Sequence, residues 1–112
     1  MSHITTHILD TSLGKPAVGV IVKLQEKNGE KWQTLASGMT NSDGRVADLL
    51  DDKQFLKPAI YRMLFETGTY YKQLNVKTLY PEVGIVFETF DQTHYHVPLL
   101  LNPFGFSTYR GS

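Results

Sequence analysis

Hydrophobic and polar positions alternate in short runs along most of this chain, and helical spacing is scarce. ITTHILDT, VGVIVKLQEK, KWQTLASGMT, RVADLL, AIYRMLFET, EVGIVFETF, HYHVPLLL and GFSTYR are period-two or rich in β-branched residues, as half-buried strands require. LGKPA, KNGE, NSDGR and NPFG separate runs with the Gly, Pro, Asn or Asp that turns need. In NPFG, Asn102, Pro103 and Gly105 suit the first, second and fourth positions of a type I turn, so the last two runs are expected to form a hairpin. TGTYYKQLNVKTLYPEV departs from the pattern: Tyr70, Tyr71, Leu74 and Leu79 fall near helical spacing, which predicts a short helix with Thr69 as N-cap and Pro81 as stop. About eight strands and one helix point to an all-β fold, two antiparallel sheets packed as a sandwich.

Alternation also assigns faces. In HYHVPLLL, Tyr95, Val97, Leu99 and Leu101 share the expected core face, leaving His94, His96, Pro98 and Leu100 opposite. In the first run Ile4, Thr6, Ile8 and Asp10 share a face, leaving Thr5, His7 and Leu9 outward. If these two strands are neighbours, His7 and His96 meet on one sheet surface. Leu9, Pro98 and Leu100 make that surface apolar, which predicts a covered face and hence a homo-oligomer. Pro98 has no N–H for a ladder, so irregular pairing is expected there.

At 112 residues, 41% hydrophobic and 20% charged, the chain has the composition of one globular domain, residues 1–112. Its 11 basic and 11 acidic side chains balance, leaving no net field to recruit nucleic acid or anionic lipid. There is no cysteine, which removes disulfides, thiolate catalysis and Cys-based zinc sites. MSHITTHILD has neither the basic nor the apolar region of a secretory signal, and no run is long enough to span a membrane. The expected location is cytoplasmic, with no membrane or nucleic-acid partner.

The candidate chemistry is sparse. His94 and His96 on one face, with His7 conceivable as a third ligand, have zinc-compatible spacing, but no acidic cluster accompanies them. Acid–base work suits the imidazoles better, since they exchange protons near neutral pH. Arg45, just after the NSDGR turn, can grip a planar, carbonyl-rich ligand, although by itself it reads more readily as a solvated loop arginine. Arg110 reads equally as a terminal salt-bridge partner. No phosphate-binding loop, dinucleotide fingerprint, serine-hydrolase elbow or H-E-x-x-H motif occurs, and nothing calls for a cofactor.

THILDTSLGKPAVGV, TNSDGR, LYPEV and above all HYHVPLLLNPFGFSTYRGS resemble the 5-hydroxyisourate hydrolases, the transthyretin-related enzymes of urate breakdown, in order along essentially the whole chain. The terminal Tyr-Arg-Gly-Ser separates those hydrolases from transthyretin, the hormone carrier of the same fold. The resemblance implies a transthyretin-like (prealbumin-like) sandwich of two four-stranded antiparallel sheets with one short helix. It also implies a homotetramer with sites in the channel between dimers, lined in part by the chain terminus. By motif it implies a catalytic set of His7, Arg45, His96 and Ser112, with substrate held by His7, Arg45, Tyr109, Arg110 and Gly111. The implied reaction is ring-opening hydrolysis of 5-hydroxyisourate to 2-oxo-4-hydroxy-4-carboxy-5-ureidoimidazoline, a cyclic-amide C–N cleavage with neither metal nor organic cofactor. A transthyretin-like carrier of a small aromatic ligand is the competing expectation, and a zinc-binding sandwich a third.

Overall fold

A computed structural model describes residues 2–112. Its strands are β1 (Ile4–Thr5), β2 (Ile8–Asp10), β3 (Lys15–Pro16), β4 (Ile21–Asn28), β5 (Lys31–Met39), β6 (Ile60–Phe65), β7 (Val83–Glu88), β8 (Tyr95–His96), β9 (Leu99–Asn102) and β10 (Gly105–Thr108), with one helix, α1 (Thr67–Gln73). Two four-stranded sheets form, in the orders β10-β9-β2-β3 and β5-β4-β6-β7, and β1 pairs with β8 as a short extension of the β2–β9 pair. The expected sandwich is therefore present. Ile8, Leu99 and Leu101 of one sheet pack with Val22, Leu24, Tyr61, Met63, Phe65 and Val83 of the other in one buried cluster, the alternate-residue filling that a pleated strand dictates.

Pairing differs from the expectation in one respect. The β4–β7 sheet is antiparallel throughout, but β2 runs parallel to β9 and β1 parallel to β8. Both partners are far apart in sequence, so no hairpin forces them antiparallel. Alternation in the first strand is as expected: Ile4, Thr6, Ile8 and Asp10 are buried, whereas Thr5, His7 and Leu9 are half-buried.

Three local expectations are corrected. RVADLL is not a strand; Val46, Leu49 and Leu50 are all buried, and three inward side chains spaced in this way suit a turn-rich cover over the core rather than a pleat. The two-residue β3 was missed within LGKPA, being too short to show a period. The helix begins at Thr67, with Glu66 in the cap position, so Thr69 lies inside it; it ends at Gln73, well before Pro81. Its buried face is Thr67, Tyr70 and Tyr71, while Leu74 and Leu79 are exposed. Asn75, at φ 58°, ends the helix, with the Asn75 and Val76 amides bonding back to Lys72 and Tyr71 carbonyls.

The expected hairpin forms at Asn102–Gly105, with Phe106 opposite Leu101 and Thr108 opposite Leu99. Carried further along the chain, the same register sets Gly111 opposite His96, where the Gly111 amide donates to the His96 carbonyl at 2.9 Å. Between these points Pro98 interrupts the ladder, as a residue without an N–H must. The Thr6 hydroxyl donates to the Val97 carbonyl at 2.6 Å and the Thr108 hydroxyl to the Pro98 carbonyl at 2.8 Å, satisfying acceptors around the break. No helix among the described residues is long and apolar enough to cross a membrane.

Candidate active site

Strand register assembles the site. Thr5 stands directly across from His96 in the parallel β1–β8 pair, and His7 follows on the same face two residues later. Nδ1 of His7 and Nε2 of His96 lie 2.7 Å apart in a hydrogen bond, and the two rings stack at 4.9 Å with a 24° interplanar angle. Nδ1 of His96 is bonded to the Thr5 hydroxyl at 2.7 Å, and that hydroxyl also meets Nε2 of His94 at 3.2 Å. His94 in turn donates from Nδ1 to the Ser2 carbonyl at 2.7 Å. The sequence placed His94 and His96 on one face; the structure joins them through Thr5.

Arg45 reaches the same place through its turn. Asn41 closes NSDGR, its amide donating to the Arg45 carbonyl and its side-chain oxygen accepting from the Asp43 and Arg45 amides. The turn then docks on β2, where the Ile8 amide donates to the Gly44 carbonyl at 2.9 Å and Arg45 bridges to His7. Gly44 is required: its φ is 74°, and a β-carbon there would stand 2.5 Å from the Ile8 carbonyl oxygen. The Arg45 side chain is left exposed beside the imidazoles.

Electrostatics follow from this packing. Burial, and then the nearby His7, Arg45 and His94, push the His96 imidazole down to about 4. Burial and then the Arg45 guanidinium lower His7 as well. Both rings are therefore neutral near pH 7, as a base that must accept a proton requires. Neutrality alone does not recommend them to a metal, since both nitrogens of His94 and both of His96 are already engaged by protein groups.

The C-terminal segment is divided between two places. Gly111 packs against the His96 ring, so closely that a β-carbon would approach Cδ2 to 2.6 Å. Arg110 turns away from the imidazoles, stacking over the Tyr95 ring at 4.2 Å and donating to the Thr93 hydroxyl and the His94 carbonyl at 3.2 and 3.1 Å. Tyr109 and Arg110 line a depression with Phe87, Phe90 and Tyr95. Ser112 is exposed, and the bonds that hold His96 in place come from Thr5 and His7. Sequence reasoning gave Thr5 no role and weighed His94 only as a zinc ligand beside His96. The available signal was that Thr5 precedes His7 by two residues, as His94 precedes His96, so each pair shares a strand face. Leu9 and Leu100 are only half-exposed and Pro98 is buried, which makes this apolar surface less open than alternation alone implied.

A profile of the HIUase/Transthyretin family matches residues 4–111. The chain belongs to the HIUase/Transthyretin family. Within this family it is 44% identical over 110 residues to a 5-hydroxyisourate hydrolase of Salmonella typhimurium, covering 97% of this chain and 80% of that protein. The structure of Klebsiella pneumoniae 5-hydroxyisourate hydrolase superposes with a TM-score of 0.87 at 38% identity, covering 99% of this chain and all of that one. Sea bream transthyretin in complex with thyroxine superposes with a TM-score of 0.88 at 28% identity, over 97% of this chain and 94% of that one. Backbone similarity thus extends to a hydrolase and to a thyroxine-bound transthyretin alike, and side chains must discriminate them.

Proposed function

We propose that this protein is a 5-hydroxyisourate hydrolase, which opens the substrate ring to 2-oxo-4-hydroxy-4-carboxy-5-ureidoimidazoline. The observation that carries the reading is the hydrogen-bonded, neutral His7–His96 pair beside the exposed Arg45 guanidinium. Hydrolysis of a cyclic amide needs a base for water and a cation for the developing oxyanion, and a carrier needs neither. The identity to hydrolases at 44% and 38%, against 28% to the thyroxine-bound transthyretin, points the same way.

In this reading the imidazole pair takes a proton from water as its oxygen attacks the ring carbonyl. A positioned base contributes about 10²- to 10⁴-fold. Arg45 holds the substrate and offsets the oxyanion charge, an effect worth roughly 3 to 4 kcal/mol for one strong donor. Tyr109, Arg110 and Gly111 complete the binding surface and Ser112 joins the catalytic set, with Gly111 packed against the His96 ring and Arg110 tying the segment to Thr93 and Tyr95. Residues 1–112 act as one hydrolase domain.

Assembly belongs to the same proposal. A homotetramer with sites at a channel between dimers accords with the kinship to transthyretin and with the exposed apolar side chains Leu13, Val18, Val86, Phe90 and Tyr109. The experiment is product identification: 5-hydroxyisourate generated in place is incubated with the protein and followed by carbon-13 NMR. Rapid appearance of the ring-opened carboxylate supports the reading. An unchanged substrate spectrum that decays only as in buffer, together with retention of the compound by the protein, returns the carrier.

A further inference from the structure

The reading of the site as a hydrolase leaves open which imidazole is the base, and the hydrogen bonds around it contain that information. The chain Ser2 carbonyl, His94, Thr5, His96, His7 is continuous, with contacts of 2.7, 3.2, 2.7 and 2.7 Å. Only one end has a fixed polarity, and it settles the rest. A carbonyl oxygen can only accept, so Nδ1 of His94 carries a proton. In a neutral His94 ring Nε2 is then a lone pair, which accepts the single hydroxyl proton of Thr5. The Thr5 oxygen must accept from Nδ1 of His96. Nε2 of His96 is therefore a lone pair, and it accepts from Nδ1 of His7. The tautomers follow from the network, each ring nitrogen taking the role its partner leaves it.

We propose that Thr5 and His94 are positioning residues for the hydrolysis, which through this one-way chain of donors leave the Nε2 lone pair of His7 free as the base and give the proton it takes a path to His94. This rests on the hydrolase reading above.

The step balances. As the water oxygen bonds to the substrate carbonyl carbon, its O–H bond breaks and the proton bonds to His7 Nε2. The His7 Nδ1 proton moves to His96 Nε2, the His96 Nδ1 proton to the Thr5 oxygen, and the former Thr5 proton to His94 Nε2. The three bonds linking His7, His96, Thr5 and His94 are now reversed, the bond to the Ser2 carbonyl keeps its direction, and the positive charge rests on His94, which donates from both nitrogens. When the C–N bond breaks, His7 Nε2–H gives its proton to the leaving nitrogen, and the chain runs back to its starting state.

Charge placement favours this route over an imidazolium at the first ring. Burial and then the Arg45 guanidinium disfavour a cation on His7, and burial, with His7 and Arg45 nearby, disfavours one on His96. His94 sits at the far end of the chain, half-exposed, where its Nδ1 proton already points at a carbonyl. Thr5 has a hydroxyl that both accepts and donates, which an amide or a carboxylate could not supply in the same reversible form.

The test reads tautomers and kinetics together. Ring nitrogen-15 shifts of the substrate-free protein near neutral pH should show His7, His94 and His96 all protonated at Nδ1, the form free imidazole disfavours. Thr5→Val should lower kcat about 10- to 100-fold, the size of effect known for partners that orient metal-bound imidazoles, with KM little changed, and should abolish the Nδ1–H signature of His96. Thr5→Ser should restore both. His94→Phe, which keeps ring volume, should lower kcat in the same way. A wild-type His7 protonated at Nε2, or a folded Thr5→Val protein with wild-type kcat, overturns the proposal. Because the tautomer spectrum needs no substrate, its failure is separable from that of the hydrolase reading. Absence of turnover in a wild-type protein with the assigned tautomers removes the hydrolase and the base role together, leaving the donor chain as architecture alone.

Discussion

Gly111 is held against His96 so tightly that its position admits no side chain: a β-carbon would lie 2.6 Å from Cδ2 and 3.4 Å from Cγ of the imidazole. The His96 ring cannot swing aside without breaking its bonds to Thr5 and His7, and the His96 carbonyl anchors the Gly111 amide. Gly111→Ala should therefore displace the ring, the terminal segment or both. Misplacement of a reacting group by about 1 Å can cost on the order of 100-fold in rate. The expected outcome is a kcat lowered about 10- to 100-fold with a nearly unchanged Tm, since no core residue is altered. Steady-state kinetics beside thermal unfolding check this.

Arg45 is proposed to act on the substrate, and its exposed side chain adds little to the fold. Its side chain is exposed, so Arg45→Ala should leave the denaturant midpoint within experimental scatter while lowering kcat/KM by about 10²- to 10³-fold, the range for loss of one strong oxyanion donor. Arg45→Lys should recover only part of this, because an ammonium lacks the planar fork.

Acid should remove activity below the usual histidine range. His96 is pushed down to about 4 and His7 is lowered too, so the neutral pair persists below pH 6.5. The acidic limb of kcat/KM is expected between those values. In Arg45→Ala the limb should move toward higher pH, because one of the charges that depresses both rings is gone. Stability follows the same sign: an unfolded His96 binds a proton near its ordinary pKa of about 6.5, and the folded one only near 4. The contribution of the neutral ring is thus fully present above pH 6.5 and is lost as pH falls toward 4. Urea titrations across this window measure it.

Gly44→Ala tests how the turn delivers Arg45. With φ at 74° and the Ile8 carbonyl 2.5 Å from the new β-carbon, the substituted turn cannot stay docked on β2. Left-handed strain alone costs on the order of 1 to 3 kcal/mol. Both the unfolding midpoint and kcat/KM should fall. Asp43→Ala, in the same turn but exposed, should alter neither appreciably.

Much of this arrangement was legible because it rests on local rules. Alternation in the first and eighth strands separated the core face from the histidine face, and Asn102, Pro103 and Gly105 announced the hairpin whose register carries Gly111 to His96. What was not legible depends on partners distant in sequence. The parallel pairing of Ile4–Asp10 with Tyr95–Leu101 is fixed by burial on both strands and leaves no turn signal. The role of Thr5 depends on that register, since its hydroxyl becomes a link only when His96 lies opposite it with His94 two residues back on the same face. Val46, Leu49 and Leu50 imitated a strand because their apolarity serves a loop that covers the core.

The most direct measurement is the ultraviolet decay of 5-hydroxyisourate, generated in place by urate oxidase, with and without the purified protein. The compound also decays in water, so the comparison of rates decides. Decay that accelerates in proportion to protein concentration, with that acceleration cut at least about 100-fold in Arg45→Ala and in His7→Ala, is the predicted result. Decay no faster than the blank at any protein concentration would contradict the account, leaving a transthyretin-like sandwich whose imidazoles serve some other purpose.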